Sequence, residues 1–137
     1  AGAGDLGMEE SHHFQTIFQA GFANPDEYPF SNGWLKNDHP LIEKKMFPSV
    51  RAVTINKVTD DALQQQQLMA TFDPILESME GAAFHYVCLM EKIPFIQIRA
   101  ISNYVGDRNK ANWKFKESIA NLNNALIEIV RKYMVNS

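Results

Sequence analysis

One cysteine, Cys88, among 137 residues excludes an internal disulfide framework and fits a reducing compartment. No apolar run comes near the roughly 20 residues that a membrane-spanning helix needs. The first residues also lack the charged-then-apolar order of a secretory signal. An excess of basic charge is missing too. Thirteen Lys and Arg stand against sixteen Asp and Glu, for a net charge of −3, which argues against a nucleic-acid surface held by phosphate contacts. No Gly-rich phosphate loop, Walker sequence or nucleophile elbow occurs. What is present is the composition of a core: 45% hydrophobic residues, with nine Phe and two Trp. That sets general disorder aside. The expectation is a single soluble, cytoplasmic, mildly acidic domain over residues 1–137, or part of one.

The chain opens on Ala1-Gly2-Ala3-Gly4-Asp5-Leu6-Gly7, which carries neither helical nor strand periodicity. Phe14, Ile17, Phe18 and Phe22 recur at helical spacing and predict a helix over 9–22. Residues 23–48 hold Pro25, Pro29, Pro40 and Pro48 with Asn32-Gly33, a pattern that breaks regular elements. Tyr28, Phe30 and Trp34 are too bulky for a free linker, so this stretch reads as a long ordered loop over a core. The β-branched run 51–55 predicts a strand, and 60–72 a helix opened by two acids that suit its positive end. A second helix is predicted from near Ser78 to Met90, with Ala82, Ala83, Tyr86, Val87 and Met90 as its apolar face. Ile93 to Ile101 reads as a strand buried on both faces, and 111–133 as an amphipathic helix striped by Ile119, Leu122, Leu126, Ile129 and Tyr133. This order is that of an α/β protein. So few strands make a small parallel sheet, and the chain is expected to be the latter part of an α/β domain whose first strands lie elsewhere.

Some polar residues fall where packing alone would not put them. Glu80 lies at the start of the helix near Ser78, before the small residues Gly81, Ala82 and Ala83. There it either caps the helix or, ionised by the dipole, holds a vicinal diol through its two oxygens. Arg99 interrupts an apolar strand, and a guanidinium there needs a buried acid or a ligand as partner. Ser102 and Asn103 follow where that strand ends, the edge at which open α/β sheets bind ligands. The Asn is either a turn residue or a donor–acceptor pair that reads a heterocycle. Glu9, Glu10, His12 and His13 hint at a metal, yet adjacent histidines on a helix diverge. His85 reads as a polar flank, Cys88 as a small buried hydrophobe, and Lys110, Lys114 and Lys116 as a solvated helix start.

Glu77-Ser78-Met79-Glu80-Gly81-Ala82-Ala83, followed by Ile98-Arg99-Ala100-Ile101-Ser102-Asn103, resembles the paired signature of the nucleoside phosphorylase/nucleosidase superfamily. Within it, the run Arg99 to Arg108 with Trp113 downstream is similar to the futalosine hydrolase family. So are Asp5 to Glu10 and the loop Pro29 to Trp34. The resemblance implies a three-layer α/β/α fold, a homodimer or larger homo-oligomer, and no metal or organic cofactor. It implies hydrolysis of the N-glycosidic bond of futalosine to hypoxanthine and dehypoxanthine futalosine, on a route to menaquinone. By the same resemblance Met79 packs on the ribose, Glu80 holds its hydroxyls, Arg99 helps position water, and Ser102 and Asn103 face the purine. Val58 and Thr59 line the base. Arg108 is either a solvated loop residue or the partner of the substrate's carboxylate tail. The family's water-activating glutamate and Gly-rich ribose segment have no counterpart before Asp5, so an N-terminal part of the same enzyme is expected to supply them. Alternatives of other kinds are a methylthioadenosine/adenosylhomocysteine or other purine nucleosidase, a phosphorylase, and a catalytically inactive subunit.

Overall fold

The computed structural model describes residues 1–11, 13–44 and 46–133, and the chain falls into two units, Ala1–Ile96 and Gln97–Ser137. The first unit is built on a three-stranded sheet of β1 (Gly2–Ala3), β6 (Ala52–Thr54) and β7 (Leu76–Ser78), in the order β1-β6-β7. Both pairings are parallel, with Gly2 opposite Val53 and Val53 opposite Glu77. The architecture is mixed α/β, as expected. The most buried apolar side chains are Val53 of the central strand, 1% exposed, and Ile55 just after it, 0% exposed, and each such side chain contributes about 1.5–3 kcal/mol through burial. Leu68 and Phe72 of α2 (Ala62–Phe72) complete this core, with Trp34 packed against it and meeting the Phe72 ring edge-on at 5.7 Å.

The glycines of the opening segment have a structural cause. A Cβ on Gly4 would lie 3.0 Å from Leu68 Cδ2 and 3.2 Å from Ile55 and Val53, so the bare backbone lets the chain pass this close without displacing those core side chains. A two-residue strand of Gly and Ala has no hydrophobic period to read, which is why β1 was not expected.

Around the sheet, the predicted helix over 9–22 is corrected to a hairpin. Strands β2 (Gly7–Glu10) and β3 (His13–Thr16) pair antiparallel, with Gly7 opposite Thr16 and Glu10 opposite His13. Ser11 takes a left-handed φ of 52° in the connection, and the ladder extends through the Ile17 N–H to the Leu6 carbonyl at 3.1 Å. Phe22, counted on the helical stripe, is exposed. His12 lies outside the described residues. Asn32-Gly33, expected only to break structure, forms the tight turn of a second hairpin, β4 (Phe30–Ser31) with β5 (Trp34–Leu35). Both turn residues have positive φ, 51° and 74°, which is the demand that selects Asn-Gly. Between this hairpin and β6 lies one turn of helix, α1 (Pro40–Glu43).

Helix α2 starts two residues later than its first acid. Asp61 is its N-cap, its Oδ1 accepting from the Leu63 N–H at 3.1 Å. It stops at Asp73 in the left-handed region, with Pro74 next in sequence unable to continue it. α3 (Gly81–Met90) buries Gly81, Ala82 and Cys88, while Ala83, Tyr86, Val87 and Met90 of the expected apolar face are exposed. The small residues do let this helix meet the sheet closely: the Ala82 N–H donates to Thr54 Oγ1 of β6 at 2.6 Å.

The predicted strand over 93–101 is a second correction. The segment has no regular secondary structure and joins no ladder among the described residues. Phe95 is buried, edge-on to Phe84 at 5.4 Å and to His85 at 4.7 Å, and its carbonyl accepts from Asn37 Nδ2 at 2.8 Å. His85 is therefore half-buried against an aromatic ring rather than on a polar flank. Beyond Ile96 the second unit is organised on its own helix, α4 (Phe115–Tyr133), preceded by a 3-10 turn at Lys110–Asn112 where the longer helix was expected to begin. Ser118, buried in the first turns of α4, donates to the Ile101 carbonyl at 2.7 Å and so ties the helix to the segment before it.

Candidate functional site

The sheet's three strands run parallel, so their carboxyl ends share one edge, the edge where open α/β sheets hold ligands. Three segments emerge there: Asp5 shortly after β1, residues 56–59 after β6, and Met79-Glu80 after β7. The structure thus gathers Val58, Thr59, Met79 and Glu80 at a single edge of the first unit. Thr59 is 1% exposed, its N–H donating to Glu77 Oε1 at 3.2 Å. Among the described residues its Oγ1 has no hydrogen-bond partner. Val58 is half-buried, and Met79 and Glu80 are exposed.

Glu80 occupies the N-cap position of α3, one residue before the helix rather than inside its first turn. Its side chain makes no capping bond. The helix's leading N–H groups are met from elsewhere: Gly81 donates to Ser78 Oγ at 3.3 Å and Ala82 to Thr54 Oγ1. The capping reading of Glu80 is thereby removed. A carboxylate held at the positive end of a helix, with the capping done by neighbours, is suited to gripping hydroxyls and facing a developing cation.

The other candidates lie in the second unit. Arg99 is exposed rather than enclosed in a sheet, with its Nε 3.4 Å from Gln97 Oε1. Its strand was not formed, so the expected buried guanidinium is corrected to a surface one. Asn103 is half-buried, its Oδ1 accepting from Ser102 Oγ at 2.6 Å and its Nδ2 donating to the Tyr104 carbonyl at 3.0 Å. An amide has two N–H groups and two lone pairs, so these bonds do not exhaust it. Arg108 is exposed. The loop carrying it is organised by Asp107, whose carboxylate accepts from the Asn109 N–H at 2.9 Å and from Asn112 Nδ2 at 3.0 Å. The Asp107 carbonyl takes the Trp113 indole N–H at 2.8 Å. Sequence reasoning missed Asp107, Thr54, Asp5 and Glu77. Only Asp107 left a local signal, the Asp-x-Asn spacing of an Asx turn. Among the described residues no cluster of His, Cys, Asp and Glu could hold a metal ion.

The family model described as the phosphorylase superfamily matches residues 48–134. The chain belongs to the phosphorylase superfamily. The matched stretch of this superfamily member includes β6, α2, β7 and α3, and with them every candidate residue from Val58 to Arg108. Among curated proteins, the chain is similar to the futalosine hydrolase of Thermus thermophilus, at 45% identity over 59 residues, covering 43% of this chain and 24% of that protein. It is also similar to the futalosine hydrolase of Streptomyces coelicolor, at 28% identity over 129 residues, covering 90% of this chain and 52% of that protein. The chain thus spans about half the length of the second relative and less of the first. No solved structure matches it. No helix among the described residues is long and apolar enough to cross a membrane.

Proposed function

We propose that the protein containing this chain hydrolyses the N-glycosidic bond of futalosine, releasing hypoxanthine and dehypoxanthine futalosine for menaquinone synthesis in the cytoplasm. The observation that carries this reading is Glu80. It sits at the carboxyl edge of the parallel sheet, relieved of capping, beside the loop of Val58 and Thr59. Both similar curated proteins are futalosine hydrolases, which supports futalosine as the substrate. As the C1′–N9 bond breaks, its electrons leave with the purine and the sugar becomes oxocarbenium-like. Glu80 then holds the ribose hydroxyls and stabilises the positive charge, while Met79 packs on the sugar. Arg99 helps position the water that adds to C1′. A glutamate from an N-terminal part of the enzyme takes its proton, and that same part brings a Gly-rich segment to the ribose.

Val58 and Thr59 line the base, with Ser102 and Asn103 at its edge. An amide cannot act as a general acid, but it donates to the ring nitrogen or exocyclic oxygen of a 6-oxopurine. Arg108 pairs with the carboxylate of the substrate's tail, and the enzyme works as a homodimer or larger homo-oligomer. The test is turnover of futalosine and of its 6-amino analogue by the full-length protein, with and without phosphate. Faster cleavage of futalosine, independent of phosphate, is expected. Preference for the amino substrate points instead to the methylthioadenosine/adenosylhomocysteine type of nucleosidase, and a requirement for phosphate to a phosphorylase.

A further inference from the structure

The loop at residues 56–59 leaves the central strand with no regular structure of its own, yet a carboxylate from each neighbouring strand segment holds it. On one side Asp5, following β1, accepts from the backbone N–H of Asn56 and, at 3.2 Å, from Asn56 Nδ2. On the other side Glu77, on β7 opposite Val53, accepts from the Thr59 N–H at 3.2 Å. The first tie fixes where the loop departs and the second where it turns under. Thr59 is almost fully enclosed, so its position is set by the tie and not by chance packing of an exposed turn. Glu77 is also three residues before Glu80 on the same segment. One side chain therefore links the segment that carries the sugar-binding carboxylate to the loop that lines the base.

We infer that Asp5 and Glu77 are positioning residues that clamp the 56–59 loop in the register that receives the nucleobase. They touch no substrate and act through Asn56 and Thr59. This inference rests on the functional reading above and names a specificity device within it. Because the loop meets the base in both the bound substrate and the transition state, loosening it weakens binding more than it slows the bond-breaking step.

The test compares full-length wild-type protein with Glu77→Ala, Glu77→Gln and Asp5→Ala. Amide hydrogen exchange over residues 56–59 is measured alongside KM and kcat for the nucleoside. Glutamine keeps an acceptor oxygen and serves as the rescue. The expected result is faster loop exchange and a KM raised about 10-fold in the two Ala variants, with kcat changed about twofold at most. Glu77→Gln stays close to wild type in both. Unchanged exchange in Glu77→Ala overturns the clamp, whatever the enzyme does. Faster exchange with an unchanged KM makes the ties merely structural and overturns their role in recognition. A wild-type protein that cleaves no nucleoside overturns the functional reading and, with it, that role. The exchange data alone still decide whether the loop is clamped.

Discussion

At the start of α3, Ser78 does the capping, and the chemistry proposed above falls to Glu80. Ser78 Oγ accepts the Gly81 N–H, and its removal leaves a helix donor without its acceptor. Ser78→Ala is expected to cost about 1 kcal/mol in denaturant unfolding. Glu80→Gln keeps the size of the side chain and an acceptor oxygen at an exposed position, so it should unfold within about 0.5 kcal/mol of wild type. Its turnover should nonetheless fall about 100-fold or more, because the amide no longer faces the sugar with a negative charge. A Glu80→Gln protein that keeps wild-type kcat would falsify the role assigned to it. Asn103 is the residue to exchange for specificity. Asn103→Asp introduces a group that, once protonated, delivers a proton to an amino-substituted purine, whereas the amide only donates a hydrogen bond. The ratio of kcat/KM for the 6-amino analogue to that for futalosine is expected to rise. A ratio unmoved by the substitution removes Asn103 from base recognition.

Among the elements, β1 is followed by a glycine whose missing side chain matters. A Cβ on Gly4 would crowd Leu68, Ile55 and Val53 at 3.0–3.2 Å. Gly4→Val therefore overpacks the core and should cost about 1–3 kcal/mol, read from the shift of the denaturation midpoint at constant slope. A variant as stable as wild type would mean that the strand and α2 separate more easily than their packing indicates. The glycines of this opening segment explain why elements differed in legibility. β6, α2, α3 and α4 announced themselves through β-branched residues, acids at helix starts and a sustained apolar stripe. The two-residue strand β1 and the three-residue strand β7 were too short to show a period. Phe14, Ile17 and Phe18 satisfied a helical count by coincidence, and pairing of Gly7–Glu10 with His13–Thr16 decided otherwise. The run from Ile93 to Ile101 had the composition of a buried strand, but a strand also needs a partner edge, and composition says nothing of that. Among the candidate site residues, Glu80 could be singled out in the sequence by its place before Gly81 and Ala82. Asp5 and Glu77 were not, because their partners lie 51 and 18 residues away.

For the molecule as a whole, large apolar side chains are exposed on the helices of both units. Val87 is 57% exposed and Met90 45% on α3, and Ile119 is 59% and Leu126 44% on α4. The net charge is only −3, too small to keep copies apart by repulsion. Exposed apolar side chains favour association, and a hydrophobic contact is not screened away by salt as an ion pair is. The 137-residue chain, produced as such, is therefore expected to sediment well above its own mass at micromolar concentration, and to do so equally in low and high salt. Val87→Lys combined with Ile119→Lys places charges on those faces and should move the distribution toward the monomer. A single monomeric boundary for the unsubstituted chain across a concentration series would count against this. The exposed side chains of α3 and α4 would then be an ordinary solvated surface, and the homo-oligomer proposed for the enzyme would have to be built from another face.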